Sequence, residues 1–273
     1  MSDRPDKVDG PESPPDGAPS PIIMMPLARA HRDDGLAGQV VTYVRGYIAS
    51  HGMRPGDRLP GEAEVARVLG VSRPVVREAS RTLAALGLVD IAPGRPPRVS
   101  RMRGRVLRHF FEHALMTGQA GAQHVLEVRR GLEISMAALA AARRDAGAVD
   151  RLAGLAAQMA GRLRHAEEYV VLDLEFHRTI AAATANPFYV EIIDACRAAF
   201  ESSMDVGMRH RFTAAELDRV QALHVQIVEA VRQGDADAAA LAMTRHFDDA
   251  LAAVYRGIAA RRPNSARRQT TDG

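Results

Sequence analysis

Asp173 and His177 stand four residues apart in VLDLEFHRTI, so on a helix both project from one face. His224, in LHVQIVEAV, and His246, in MTRHFDDAL, follow on two later segments. His224 precedes Gly234 by ten residues and His246 follows it by twelve. At about 1.5 Å rise per residue both stand roughly 15–18 Å from a Gly234–Asp235 turn, so an antiparallel helix hairpin sets them side by side. Three imidazoles and one carboxylate suit a divalent metal, with zinc first and nickel or manganese as alternatives. Four ligands of a possible six leave room for a small anion on the metal. The plainer reading is a structural one, because the chain has ten histidines and a D-x3-H pair arises readily by chance.

A second chemistry sits upstream. Arg73 and Arg77 are also four apart and follow Ser72, which starts a helix. Two guanidinium forks near a helix N-terminus suit guanine edges in a major groove, each good pair being worth roughly 1–3 kcal/mol of discrimination. The Ser72 hydroxyl is placed to cap backbone N–H groups or to meet a phosphate. The alternative for the two arginines is a surface ion pair with Glu64 or Glu78. Downstream, Gly94 permits a tight turn, and Arg95 and Arg98 are candidates for phosphate or minor-groove contact. Charge agrees with this division. The net charge is only +3, yet Arg54–Arg108 carries twelve arginines against five acids, and His109–Ala260 carries fifteen against twenty. A basic half joined to an acidic half points to a polyanion as the partner of the first.

The elements that must hold these residues are mostly helical. Leu36, Val40, Tyr43, Val44, Tyr47 and Ile48 line one face of a helix ending near Ser50. After the loop HGMRPGDRLPG, a short helix from about Gly61 to Leu69, with Val65, Val68 and Leu69 apolar, stops at Gly70. A second begins after Ser72 with Pro74 in its first turn and runs to Gly87, burying Val75, Val76, Ala79, Leu83 and Leu86. Two short helices joined by about three residues form a helix-turn-helix, and LVDIA and PRVS around PGRP pair as a small β-wing. Beyond Arg103 the pattern gives seven helices, about 104–117, 122–144, 147–165, 167–184, 187–207, 213–233 and 236–260.

Composition excludes several classes. Hydrophobic residues make up 47% and aromatics 4%, without Trp, which favours helices packed through small side chains over a β-sandwich. No apolar run approaches the ~18 residues of a membrane span. The acidic, Pro-rich start lacks the order of a signal peptide. Cys196 is the single cysteine, so no disulfide forms within the chain, and its apolar neighbours make it an inert buried thiol. A cytoplasmic protein is expected.

The segment PGDRLPGEAEVARVLGVSRPVVREASRTLAALGLVDIAPGRPPRVS resembles the winged helix-turn-helix of the GntR family over some 45 residues. Ala63 stands where many members have Arg, so one potential contact is missing, and Gly61 replaces the usual Ser. The order D-x3-H, then H-x2-I-x2-A, then a late helical His resembles the FCD domain of the FadR-like branch, an all-helical bundle. That resemblance implies a divalent metal on Asp173, His177, His224 and His246. VLEVRRGLEISMAALAA is similar to a helix of the same domain, whose Arg, here Arg129, pairs with an effector carboxylate; the alternative is a bridge to Glu133. Asn186 falls at the family's helix break and is given a turn role.

The expected organisation is a disordered arm over 1–30, a winged helix-turn-helix over 31–101, an FCD-type effector domain over 102–261 and a disordered basic tail over 262–273. The expected function is a dimeric transcription regulator, repressor or activator, that binds a pseudo-palindromic DNA operator and responds to a small organic or sugar acid. A metal-dependent hydrolase fused to a DNA-binding module, and a direct metal sensor, are the rivals.

Overall fold

The computed structural model describes residues 35–143, 145–197 and 213–261. The arm over 1–30 and the tail over 262–273 lie outside these residues. Among the described residues there are ten helices and one two-stranded sheet.

The N-terminal unit is built on α1 (Leu36–Ser50), α2 (Glu62–Leu69) and α3 (Arg73–Ala85). Val40 and Val44 of α1, Val65 of α2, and Val76, Ala79 and Leu83 of α3 bury one face each into a common core. Strand β1 (Val89–Asp90) pairs antiparallel with β2 (Arg98–Val99), Val89 opposite Val99, and Gly94 takes a φ of +68° in the turn between them. The segment before α2 runs along the other side of β2. There Leu59 N–H donates to the Pro97 carbonyl at 2.9 Å and Val99 N–H to the Asp57 carbonyl at 2.9 Å. One apolar residue expected inside is outside: Leu86 lies past the last residue of α3, which ends at Ala85, and is about half exposed.

The C-terminal unit comprises α4 (Arg105–Met116), α5 (Ala122–Arg143), α6 (Ala146–Ala160), α7 (Ala166–Ala183), α8 (Pro187–Ala195), α9 (Ala214–Gln233) and α10 (Ala236–Arg261). Side-chain caps set several starts. Asp145 accepts from Ala148 N–H and Asn186 from Phe188 N–H, and Thr213 and Glu216 form a reciprocal capping box. The helix expected over 147–165 ends at Ala160, where Gly161 leads into a turn. The one expected over 187–207 ends at Ala195, and the rest of its span beyond residue 197 lies outside the described residues. Five helices make the core: α10 packs along α5 and α9, α6 along α7 and α9, and α5 against α7 and α9. Ala137, Ala140 and Ala141 of α5 and Ala239, Ala242 and Ala253 of α10 are buried, and such small side chains allow close axial approach. Gly234 caps α9 in the left-handed region at φ +75°, and α9 and α10 form the expected hairpin.

Helix α8 joins this core to the start of α4. Gly104 N–H donates to the Glu191 carboxylate at 2.6 Å. A Cβ at Gly104 would lie 2.5 Å from the Glu191 carbonyl oxygen, so only glycine fits. Ala185, between α7 and α8, holds a φ of +47°, which costs an L-residue roughly 1–2 kcal/mol. Ala185→Gly relieves that cost at some loss of chain entropy. It is expected to stabilise the C-terminal unit by about 0.5–1 kcal/mol in a urea titration. No helix of the described residues is long and apolar enough to cross a membrane.

Candidate metal centre and nucleic-acid interface

Helix α7 presents Tyr169, Asp173 and His177 on one buried face, at successive four-residue steps. His224 enters from α9 and His246 from α10. The helix hairpin delivers the last two level with each other, their ring centroids 4.5 Å apart. His177 closes the group, at 5.0 Å from His246 and 6.1 Å from His224. Each of the four residues Asp173, His177, His224 and His246 is buried and offers one ligand atom, and these atoms all lie within 4.8 Å of one another.

The polar atoms of this cluster are not satisfied by the protein. Asp173 Oδ2, His177 Nε2, His224 Nε2 and His246 Nδ1 are buried without a hydrogen-bond partner. The approaches of His224 Nε2 to Asp173 Oδ1 at 3.0 Å and of His177 Nε2 to Asp173 Oδ2 at 3.4 Å are charge contacts only. A buried polar group left unmade costs about 1–3 kcal/mol, and here four converge from three helices. One shared cation satisfies all four, so the residues fit a metal.

Electrostatics prepare the same donors. Burial opposes ionisation of Asp173, but the charges of His177, His224 and His246, with the close approach of His224 Nε2, outweigh it and hold the carboxyl far below its usual range. Burial, then the charges of His224 and His177, push His246 well below the ordinary imidazole range, so it presents a neutral lone pair. An ionised Asp173 beside a neutral His246 suits a divalent ion, whose ligands must be deprotonated.

A surrounding set of side chains fixes the rings. His177 Nδ1 bonds Glu133 Oε2, which places the proton on Nδ1 and turns Nε2 inward. Tyr169 Oη lies 3.4 Å from His224 Nδ1. Glu133 Oε1 accepts from Arg129 Nε at 2.7 Å, and the Arg129 guanidinium carbon lies 5.3 Å from the Phe247 ring centre. Burial disfavours the Glu133 anion, but Arg129 and His177 overcome this and lower its pKa. Arg129 is thus buried beside the cluster and bridged to Glu133, the alternative weighed from the sequence. Sequence reasoning missed Tyr169 and Glu133 as parts of the site. The available signal was a Tyr one turn before Asp173 and an acid on an otherwise buried face of α5. Cys196 is buried, and burial pushes its thiol up to about 12, as expected of an inert thiol.

In the N-terminal unit Ser72 occupies the N-cap of α3 without a side-chain capping bond, and Ser72 and Arg73 are both exposed. Arg77 pairs with Glu62, at the start of α2, at 3.1 Å; neither Glu64 nor Glu78 is its partner. Gly94 and Arg95 form the exposed tip of the wing. A cleft of about 590 Å³ between α3 and the wing is lined by Glu62, Arg77, Arg81 and Arg95 among others. Arg81, four residues after Arg77, is the basic residue missed from sequence. Arg98 does not join this set: its guanidinium donates to the Gly56 carbonyl at 2.5 Å and ties down β2.

Comparison with known proteins separates the same two units. Residues 36–99 match the profile of the bacterial regulatory proteins, gntR family, and residues 124–249 match the FCD domain. The chain is 30% identical over 230 residues to the HTH-type transcriptional repressor NanR of Salmonella newport, covering 82% of this chain and 85% of that one. It is 28% identical over 209 residues to the HTH-type transcriptional regulator LutR of Bacillus subtilis, covering 74% and 95%. A solved GntR structure from Streptococcus agalactiae shares the fold, with a TM-score of 0.58 at 21% identity over 79% of this chain and 99% of that one.

Proposed function

We propose, for a chain that belongs to the gntR family of bacterial regulatory proteins and carries an FCD domain, that DNA affinity is set by a small carboxylate bound beside a divalent metal. As a member of that family it is a DNA-binding transcription regulator, and its relatives are named as regulators, not enzymes. Repression is the favoured sign, since one relative is named a repressor. The observation that carries the proposal is the convergence of four buried, unsatisfied ligand atoms at the centre of the helical unit.

Asp173, His177, His224 and His246 would hold the metal, with zinc first and nickel or manganese as alternatives. Bound there, the metal supplies a positive charge for an anion. Arg129, close enough to His246 to act on its charge, supplies a second. Ser72, Arg73 and Arg77 would meet DNA from α3, and Gly94 and Arg95 from the wing. Two copies about a two-fold axis would read a pseudo-palindrome in the cytoplasm. Effector binding would change operator affinity only through a differential affinity for the two states.

A thermal-shift screen of the metal-loaded chain against organic and sugar acids tests this. An acid present at a hundred times its Kd is expected to stabilise by about 2.7 kcal/mol. The shift should disappear on chelation and on Arg129→Gln. Stabilising acids whose effect survives both changes would place the effector elsewhere. A metal that alters DNA binding with no acid present would favour the direct metal sensor.

A further inference from the structure

Glu133 is a buried carboxylate that serves two masters. It is 0% exposed, with one oxygen on Arg129 Nε and the other on His177 Nδ1. Glu133 contacts no ligand atom of the His/Asp cluster; it acts on the metal ligand His177 from behind.

We propose that Glu133 is the positioning residue through which the metal and the anion communicate, favouring each other's binding. This rests on the metal and Arg129 reading given above. One negative charge is shared between Arg129 and His177. While Arg129 holds Oε1, its positive charge draws electron density away from the His177 side of the carboxylate. An anion that takes over Arg129 leaves that density to the His177 Nδ1–H bond. A stronger acceptor at Nδ1 makes Nε2 a better donor to the metal. The reverse holds equally. A metal on Nε2 makes Nδ1–H a stronger donor and pulls Glu133 towards His177, loosening its grip on Arg129. Linkage requires the two effects to be equal in free energy.

A competing route gives the same sign. Arg129 and the metal are both cations, so removing one favours the other through space without any carboxylate between them. A double-mutant cycle separates the routes, because only the Glu133 route vanishes when Glu133 is changed. Gln at position 133 keeps the shape but can accept through only one atom and carries no charge to share.

The experiment uses the full chain and metal alone. Zn²⁺ affinity is measured by competition with a chromophoric chelator for the unaltered chain, Arg129→Gln, Glu133→Gln and the double variant. Glu133→Gln is expected to weaken Zn²⁺ by about 10–100-fold, the usual effect of losing a partner behind a ligating His. Arg129→Gln stands in for an arginine withdrawn by an anion, and is expected to tighten Zn²⁺ by about fivefold or more. In the Glu133→Gln background the same change should alter Zn²⁺ affinity less than about twofold. The ¹⁵N shift of His177 Nδ1 supplies a readout that a packing role would not move: it should respond to Arg129→Gln only when Glu133 is present. Should Arg129→Gln fail to fold, Arg129→Met, which keeps the length of the side chain and removes its charge, takes its place with an effect of the same sign. Equal effects of Arg129 in both backgrounds, or unchanged Zn²⁺ affinity in Glu133→Gln, would overturn the coupling and leave the metal reading intact. A chain that binds no Zn²⁺ in any form would overturn the metal reading itself and the coupling with it.

Discussion

Replacing Arg73 by alanine is expected to abolish sequence-specific DNA binding while leaving weak, salt-dependent binding nearly unchanged. Arg73 is the first residue of α3, exposed, and stands directly after the uncapped Ser72. An arginine there can place two donors on one guanine, worth roughly 1–3 kcal/mol of discrimination. If two copies engage one operator the loss doubles, so specific affinity should fall by about 30-fold to 10⁴-fold. Non-specific affinity comes from many phosphate contacts, and losing one base-reading side chain removes little of it. Arg77 should behave differently. Its guanidinium is already held by Glu62, so Arg77→Ala gives up less and also disturbs the α2–α3 contact. Glu62→Gln should free Arg77 and raise non-specific binding. These effects are read by fluorescence anisotropy on an operator selected from random DNA, at two salt concentrations. Arg73→Ala protein that keeps its operator affinity would remove α3 as the reading element.

Local signals carried much of this architecture. Leu36–Ser50 appears as read, because its apolar spacing and the following Gly/Pro loop both mark it. The pairing of His224 with His246 followed from counting residues on either side of Gly234, since helical rise is nearly constant. What counting could not reach were contacts between elements distant in sequence. Glu133 meets His177 across 44 residues, and Tyr169 meets His224 across 55. In sequence Glu133 is simply an acid four places after an arginine, which on a helix usually means a solvated pair. The packing of α5 against α7 and α10 turns that pair inward. The same holds for Arg98, whose partner, the Gly56 carbonyl, belongs to a loop 42 residues earlier. Leu86 failed for the opposite reason: α3 stops one residue before it, and apolar periodicity says little about the last turn.

The second large effect concerns the metal centre. His224→Ala/His246→Ala should purify without stoichiometric metal, because it removes two of the four ligand atoms and leaves Asp173 and His177 on one helix. Two ligands from a single face cannot enclose a cation, whereas the native set draws on α7, α9 and α10. Stability should follow metal content. A metal at a thousand times its Kd stabilises the folded state by about 4.1 kcal/mol, so chelation should lower the thermal midpoint of the unaltered chain and leave the double variant's midpoint where it was. The variant should nevertheless unfold more readily than the chelated native chain. Asp173 stays buried after losing two of the three imidazoles that hold it ionised, and a buried charge stripped of partners costs about 3–5 kcal/mol. Adding Asp173→Asn to the double variant should recover part of that loss, since the amide needs no counter-charge, without recovering metal. Metal content by mass spectrometry and midpoints by calorimetry, with and without chelator, give the two readings separately. Unchanged metal content in the double variant would dismiss these four residues as the site. Metal loss with no response of the native midpoint to chelation would leave a site that binds but does not stabilise the fold.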